Sequence, residues 1–146
     1  MEALESLIYV SVARPQLART DLDTILASAQ RNNTAAGITG ALLYYGGHFV
    51  QVLEGTAAAI DACLARLSKD PRHHALRTLE RRPIARRRFS RWSMRHIPVA
   101  HGVDRAVGSF LDHLKSNPTP VEIGQATELM AQLAVRQVAS AAREAG

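Results

Sequence analysis

Residues 38–55, ITGALLYYGGHFVQVLEG, decide how this chain folds. Two apolar runs flank Gly46-Gly47, the pattern of two strands joined by a tight hairpin turn. Side chains alternate along a strand, so Phe49, Gln51 and Leu53 share one face while Val50 and Val52 share the other. Apolar residues on both faces make the second strand a central one, and Gln51 is then buried. A buried amide without a partner costs about 1–3 kcal/mol, so some group in the protein should be bonded to it.

Upstream, Leu4–Val12 alternates with Leu7, Tyr9 and Ser11 on one face and Ile8, Val10 and Val12 on the other, which reads as a strand. Thr20 has the character of an N-cap, with Asp21 and Asp23 placed to suit the helix dipole. Leu22, Ile25, Leu26 and Ala29 follow at helical spacing, and the pattern predicts a helix to about Asn33. Downstream, Thr56 caps a second helix whose inward stripe is Ile60, Cys63, Leu64 and Leu67, ending near Pro71. Strands are expected around Ala75–Leu79 and Trp92–Val99. The order β-α-β-β-α-β-β is an α+β, ferredoxin-like sheet with one added strand and two helices over one face.

The other face needs a cover. Val103, Val107, Phe110, Leu111 and Leu114 form one helical stripe. "TPVE" at 119–122 is a helix start with Thr as cap, Pro first and Glu third, continued by Ile123, Met130 and Leu133. These two helices are expected on the back of the sheet or on another subunit, as a 101–146 extension to a 1–100 domain.

At 146 residues the length suits one domain. The 47% hydrophobic and 21% charged residues argue against disorder. A single cysteine excludes an internal disulfide or a cysteine-built zinc site, and fits a reducing cytoplasm. No basic segment followed by an apolar run opens the chain. Residues 32–53 lack formal charge, but Asn32, Asn33, Gly46, Gly47 and Gln51 interrupt them, so no membrane span is expected. The net charge of +5 comes mostly from Arg81, Arg82, Arg86, Arg87, Arg88, Arg91 and Arg95. Either they form a surface for an anionic partner or a solvated strand edge. Few aromatics interleave for base stacking, so nucleic acid is not the expected partner.

Asn33 continues the buried stripe of the first helix. In a ferredoxin-like sheet the first and third strands are neighbours, so Tyr9 and Gln51 can meet on the helix side. A phenol and two amides under apolar walls either satisfy one another or line a pocket for a flat polar ligand with an imide-like edge. No phosphate loop, dinucleotide fingerprint, HExxH or CxxC motif is present, and the histidines are dispersed, so no metal is expected. Ser11 has no acid-base partner visible in sequence, and Cys63 reads as a small core residue.

"LIYVS", "RNNTAAGITGALLYYGGHFVQVLEG", "DPRHH" and "RRFSRWSM", in this order and spacing from Leu4 to Met94, resemble a BLUF domain, a blue-light sensor that is not an enzyme. The resemblance implies a flavin held non-covalently between the two helices, usually FAD, with FMN or riboflavin as alternatives. It implies that Tyr9 is the electron and proton donor and Gln51 the switching amide. It places Asn33 and Asn32 at the ring carbonyls, Ile25 and Leu67 beside the ring, and Arg66, Asp70, Arg72 and His73 along the far side. Trp92 and Met94 match the strand that carries the signal. Ala29 stands where the family often has a serine. Signalling is expected to reach an unidentified effector protein, with a homodimer plausible. The competing reading is a flavin-free α+β regulatory or nucleic-acid-binding module using the arginines.

Overall fold

A computed structural model describes residues 3–97, 109, 112–114 and 116–145 of the chain, with side chains through Ala134. Strand β1 spans Leu4–Ala13, helix α1 Arg19–Ala36, β2 Thr39–Tyr45, β3 His48–Thr56, α2 Ala57–Leu67, β4 His73–Ile84, β5 Arg95–Ile97, and α3 Pro120–Ala145. The sheet order is β4-β1-β3-β2-β5. β3 runs antiparallel to both β1 and β2, β4 is antiparallel to β1, and β5 is parallel to β2. This is the split βαβ order expected of a ferredoxin-like sheet, with β5 as the added strand.

The turn at Gly46-Gly47 holds both glycines at positive φ, 57° and 77°, which side chains resist and glycine does not. It fixes the register that sets Leu42 opposite Gln51 and Gly40 opposite Leu53. At Gly40 the chains approach so closely that a Cβ would lie 2.0 Å from the Val52 carbonyl oxygen. A one-residue slip would turn every side chain to the wrong face.

The two faces sort as the alternation requires. Leu7, Tyr9, Leu42, Phe49 and Leu53 pack with Leu22, Ile25 and Leu26 of α1 and Ile60, Cys63, Leu64 and Leu67 of α2. Ile8, Val10, Val50 and Val52 face the other way, against Ile123, Ala126, Met130, Leu133 and Ala134 of α3. The tail does cover the back of the sheet. Of the helix expected over Val103–Leu114, only Leu114 among its stripe lies within the described residues, and it is buried in that second core.

The helix starts differ in one case. Thr56 caps α2 as expected, accepting from the Ala59 N–H at 3.2 Å. Thr119 and Glu122 exchange the reciprocal bonds of a capping box at the head of α3, at 3.2 and 3.0 Å. Thr20, however, is not the cap of α1. The helix begins two residues earlier than a Thr20 cap implies, at Arg19 with Ala18 at the cap position, and Asp21 reaches back to the Ala18 N–H at 3.0 Å. The carboxylate satisfies the Ala18 N–H, the half of a capping box that an alanine cap can still take part in. α1 also runs three residues past Asn33, ending at Gly37 in the left-handed conformation, φ 71°.

The arginine cluster is largely consumed within the fold. Arg81 pairs with Glu5 and Asp61, Arg82 with Glu80, and Arg88 with Glu128. Arg87 donates to Thr39 Oγ1 and the Glu54 carbonyl, and Arg95 lies over the Trp92 ring, 5.9 Å from its centroid. Of the seven, Arg86 and Arg91 make no such bond with a described residue. No described helix is long and apolar enough to cross a membrane.

Candidate functional site

Between α1, α2 and the sheet lies a cleft with about 690 Å³ of empty space, counting its open mouth. It is lined by every residue expected to meet a ligand: Tyr9, Ile25, Asn32, Asn33, Gln51, Arg66, Leu67, Asp70, Arg72 and His73. Ser28, Ala29, Leu42, Phe49 and Cys63 complete the wall. Ala29 thus has a hydroxyl-bearing neighbour in the wall, one position earlier, at Ser28.

At the floor, Tyr9 and Gln51 are directly paired across β1 and β3. The Tyr9 hydroxyl donates to Gln51 Oε1, and Gln51 Nε2 donates to Met94 Sδ at 3.2 Å. All three side chains are buried, at 2%, 4% and 2% exposure. Burial pushes the Tyr9 phenol far above the usual tyrosine range, with the nearby Cys63 and Asp70 adding to the rise. Burial likewise pushes the Cys63 thiol up.

Trp92 and Met94 do not lie in a strand, contrary to expectation. They precede β5 in a bend, because Trp92 N–H is already committed to the Phe89 carbonyl at 3.1 Å. The Trp92 carbonyl then accepts from Gly40 N–H at 3.0 Å, just ahead of the β2–β5 pairing. The bend sends the two side chains to opposite sides. Met94 joins the helix-side core and touches Gln51, whereas Trp92 packs into the core on the back of the sheet.

Asn33 Nδ2 donates to the Ser93 carbonyl at 2.8 Å, and Gln30 Nε2 to the Met94 carbonyl at 3.1 Å. Asn33 is 2% exposed, yet no described group bonds its Oδ1, and none bonds the Asn32 amide. Both residues line the cleft. An acceptor without a partner and a free amide beside it, both on the cleft wall, suit a ligand carrying donors and acceptors along one edge, as a flavin ring does. The residues present therefore fit that cofactor.

At the far end, Arg72 grips Asp70 with bonds of 2.7, 2.9 and 3.2 Å, and this holds the Asp70 carboxyl below the usual carboxylate range. His73 Nε2 lies 2.6 Å from the Leu67 carbonyl, which can only accept, so in the neutral ring Nδ1 accepts from Ser11 Oγ at 2.8 Å. Ser11 does have a histidine partner, which the strand pairing of β1 with β4 brings from 62 residues away. Among the described residues no group of His, Cys, Asp and Glu could hold a metal ion.

Sequence reading missed Gln30 and Glu54. Gln30 lies three residues before Asn33 and so shares its side of α1. Glu54 is the one carboxylate in the central strand β3, and that was a usable signal.

The fold agrees with what known proteins show. Residues 4–95 match the BLUF family, described as sensors of blue light using FAD. The chain belongs to that family and is a flavin-binding blue-light sensor. It is 38% identical over 92 residues to the beta subunit of photoactivated adenylate cyclase from Euglena gracilis, covering 62% of this chain and 11% of that protein. The dark-state structure of the BLUF protein BlrB superposes with a TM-score of 0.76 at 36% identity, over 90% of this chain and 98% of BlrB. A bacterial light-regulated adenylyl cyclase superposes with a TM-score of 0.71 at 28% identity, over 77% of this chain and 34% of its own. The chain thus spans about a ninth of the length of the curated cyclase relative it matches.

Proposed function

We propose that Tyr9 and Gln51 are the photoactive pair of this sensor, that FAD is the flavin in the cleft, and that Met94 reads the state of the amide. When bound, a flavin supplies a ring that absorbs blue light and becomes an oxidant on excitation. Asn33 and Asn32 hold its carbonyl edge, Ile25 and Leu67 flank it, and Arg66, Asp70, Arg72 and His73 close the far side.

In the light Tyr9 would give up an electron to that oxidant and its phenolic proton along the bond to Gln51 Oε1, and both would return to Tyr9 once the amide has exchanged its ends. Its phenol is held neutral by burial, so the proton must leave with the electron, and Oη–H is already directed at Gln51 Oε1. The amide has one acceptor end and one donor end. As it stands, the acceptor faces Tyr9 and the donor faces Met94 Sδ. A thioether offers lone pairs alone, so exchanging the ends of the amide would set oxygen against sulfur and cancel that contact. A bond of this kind is worth about 1 kcal/mol. It can bias residues 92–94 only by the difference it makes between two arrangements.

The observation that carries this reading is the unbroken chain from Tyr9 through Gln51 to Met94. Residues 1–100 act as the sensor and 101–146 as the helical output element, passing the change to an effector protein, with the chain acting as a homodimer rather than as an enzyme. An absorbance spectrum taken in the dark and after blue illumination tests it. Flavin bands with a small red shift that decays in darkness are expected, and Tyr9→Phe should keep the bands and lose the shift. A normal shift in that variant would remove Tyr9 from its role. Flavin extracted from the purified protein would distinguish FAD from FMN and riboflavin.

A further inference from the structure

Glu54 is a carboxylate with 1% exposure, as buried as the leucine beside it. Strand alternation turns it away from the cleft, onto the face opposite Gln51. Oε1 accepts from the Phe89 N–H and the Thr39 hydroxyl, both at 2.9 Å, and Oε2 accepts from the Arg88 N–H at 2.6 Å. Arg87 Nη1 completes the knot, donating at 2.9 Å to Thr39 Oγ1 and to the Glu54 carbonyl. Three consecutive residues of the β4–β5 connection are therefore fastened to one residue of β3.

Five residues beyond Phe89, the same connection returns to β3 from the other side, where Met94 Sδ meets Gln51. The segment 88–94 is thus a short bridge with both ends on β3, three residues apart. Its intermediate ties are backbone bonds from the Trp92 N–H to the Phe89 carbonyl and from the Gly40 N–H to the Trp92 carbonyl, and the amides of Asn33 and Gln30. One end, at Gln51, is a single weak bond to sulfur. The other, at Glu54, is a pair of backbone N–H bonds, from Arg88 and Phe89, to a carboxylate that Thr39 of β2 also holds in place, the stronger kind.

The geometry points to Glu54 as a positioning residue of the light switch: the fixed end of the 88–94 bridge, which holds Met94 on Gln51 in the dark and turns loss of that contact into movement at Trp92. This rests on the photoactive roles given above to Tyr9, Gln51 and Met94. Loosening the fixed end weakens the dark arrangement, so return to it after illumination becomes slower.

The test uses Glu54→Gln in the flavin-loaded full chain. Trp92 is the single tryptophan, so its fluorescence reports this bridge alone. We expect flavin bands of normal intensity, acrylamide quenching of Trp92 in the dark at least doubled, and dark recovery slowed threefold or more. Unchanged or faster recovery would overturn the proposal, even with quenching raised, because the anchor would then be structural only. Should Glu54→Gln fail to fold, Thr39→Val removes the hydroxyl that donates to Glu54 and accepts from Arg87, leaves the two backbone bonds to the carboxylate, and should move both readouts less far in the same directions. A wild-type protein with flavin but no light-induced shift would overturn the sensor mechanism instead, and Trp92 quenching in Glu54→Gln would still decide whether Glu54 holds the bridge.

Discussion

Tyr9 and Gln51 can be tested as a pair by a double-mutant cycle in flavin-free protein, where ligand linkage does not enter. Tyr9→Phe removes one hydroxyl and leaves Gln51 Oε1, on a side chain 4% exposed, without its donor. Gln51→Leu fills nearly the same volume but strands the Tyr9 hydroxyl at 2% exposure. Each buried orphan costs about 1–3 kcal/mol. With both changes no orphan remains, since the pair becomes apolar on each side and close in volume. The double variant should therefore lose less than the sum of the singles, with a coupling of about 1–2 kcal/mol. In a chain of this length 1 kcal/mol moves Tm by about 2–4 °C, so the non-additivity is measurable. Urea unfolding followed by far-UV circular dichroism gives the four stabilities. Costs that add to within about 0.3 kcal/mol would refute the buried bond between these residues.

Two further perturbations address the scaffold and the cleft. Gly40→Ala would place a methyl 2.0 Å from the Val52 carbonyl oxygen, which the β2–β3 pairing cannot absorb; we expect little folded protein, and a variant melting within 2 °C of wild type, on the order of 1 kcal/mol, would contradict the register. The Asp70 carboxyl is held low by Arg72, so its contribution is complete above the ordinary carboxylate pKa of about 4 and is lost as pH falls through the lower folded value. Thermal stability should thus fall less steeply on the acid side in Asp70→Asn, and superimposable curves of Tm against pH would show that the pair contributes nothing.

Much of the site could be read from particular residues. Gln51 stood out because alternation on both faces of a central strand left an amide with no visible partner, and Asn33 because it extended an apolar helical stripe. Both are period arguments, and periods are local. The ten residues expected at the cleft do line it, because motif spacing encodes the same helix and strand faces that packing later uses. Other features were out of reach of local pattern. Thr20 looked like a cap, yet Asp21 reached back to Ala18 and α1 started two residues earlier. Trp92 and Met94 were expected in a strand, but a backbone bond from Trp92 to Phe89 bent the segment before β5 could begin.

By itself, then, the sequence determined the order of elements, the two faces of the sheet, the hairpin register set by Gly46-Gly47 and the caps at Thr56 and Thr119. These follow from interactions within a few residues of one another, where side-chain period and turn chemistry leave few choices. Only the tertiary structure decided that Met94 rather than Trp92 sits on Gln51, that His73 holds Ser11, and that Glu54 ties down the β4–β5 connection. These contacts join groups 34–62 residues apart. A bend in the backbone chooses Met94 over Trp92, and strand pairing and the path of the β4–β5 connection make the other two contacts, so no repeat or local motif records them.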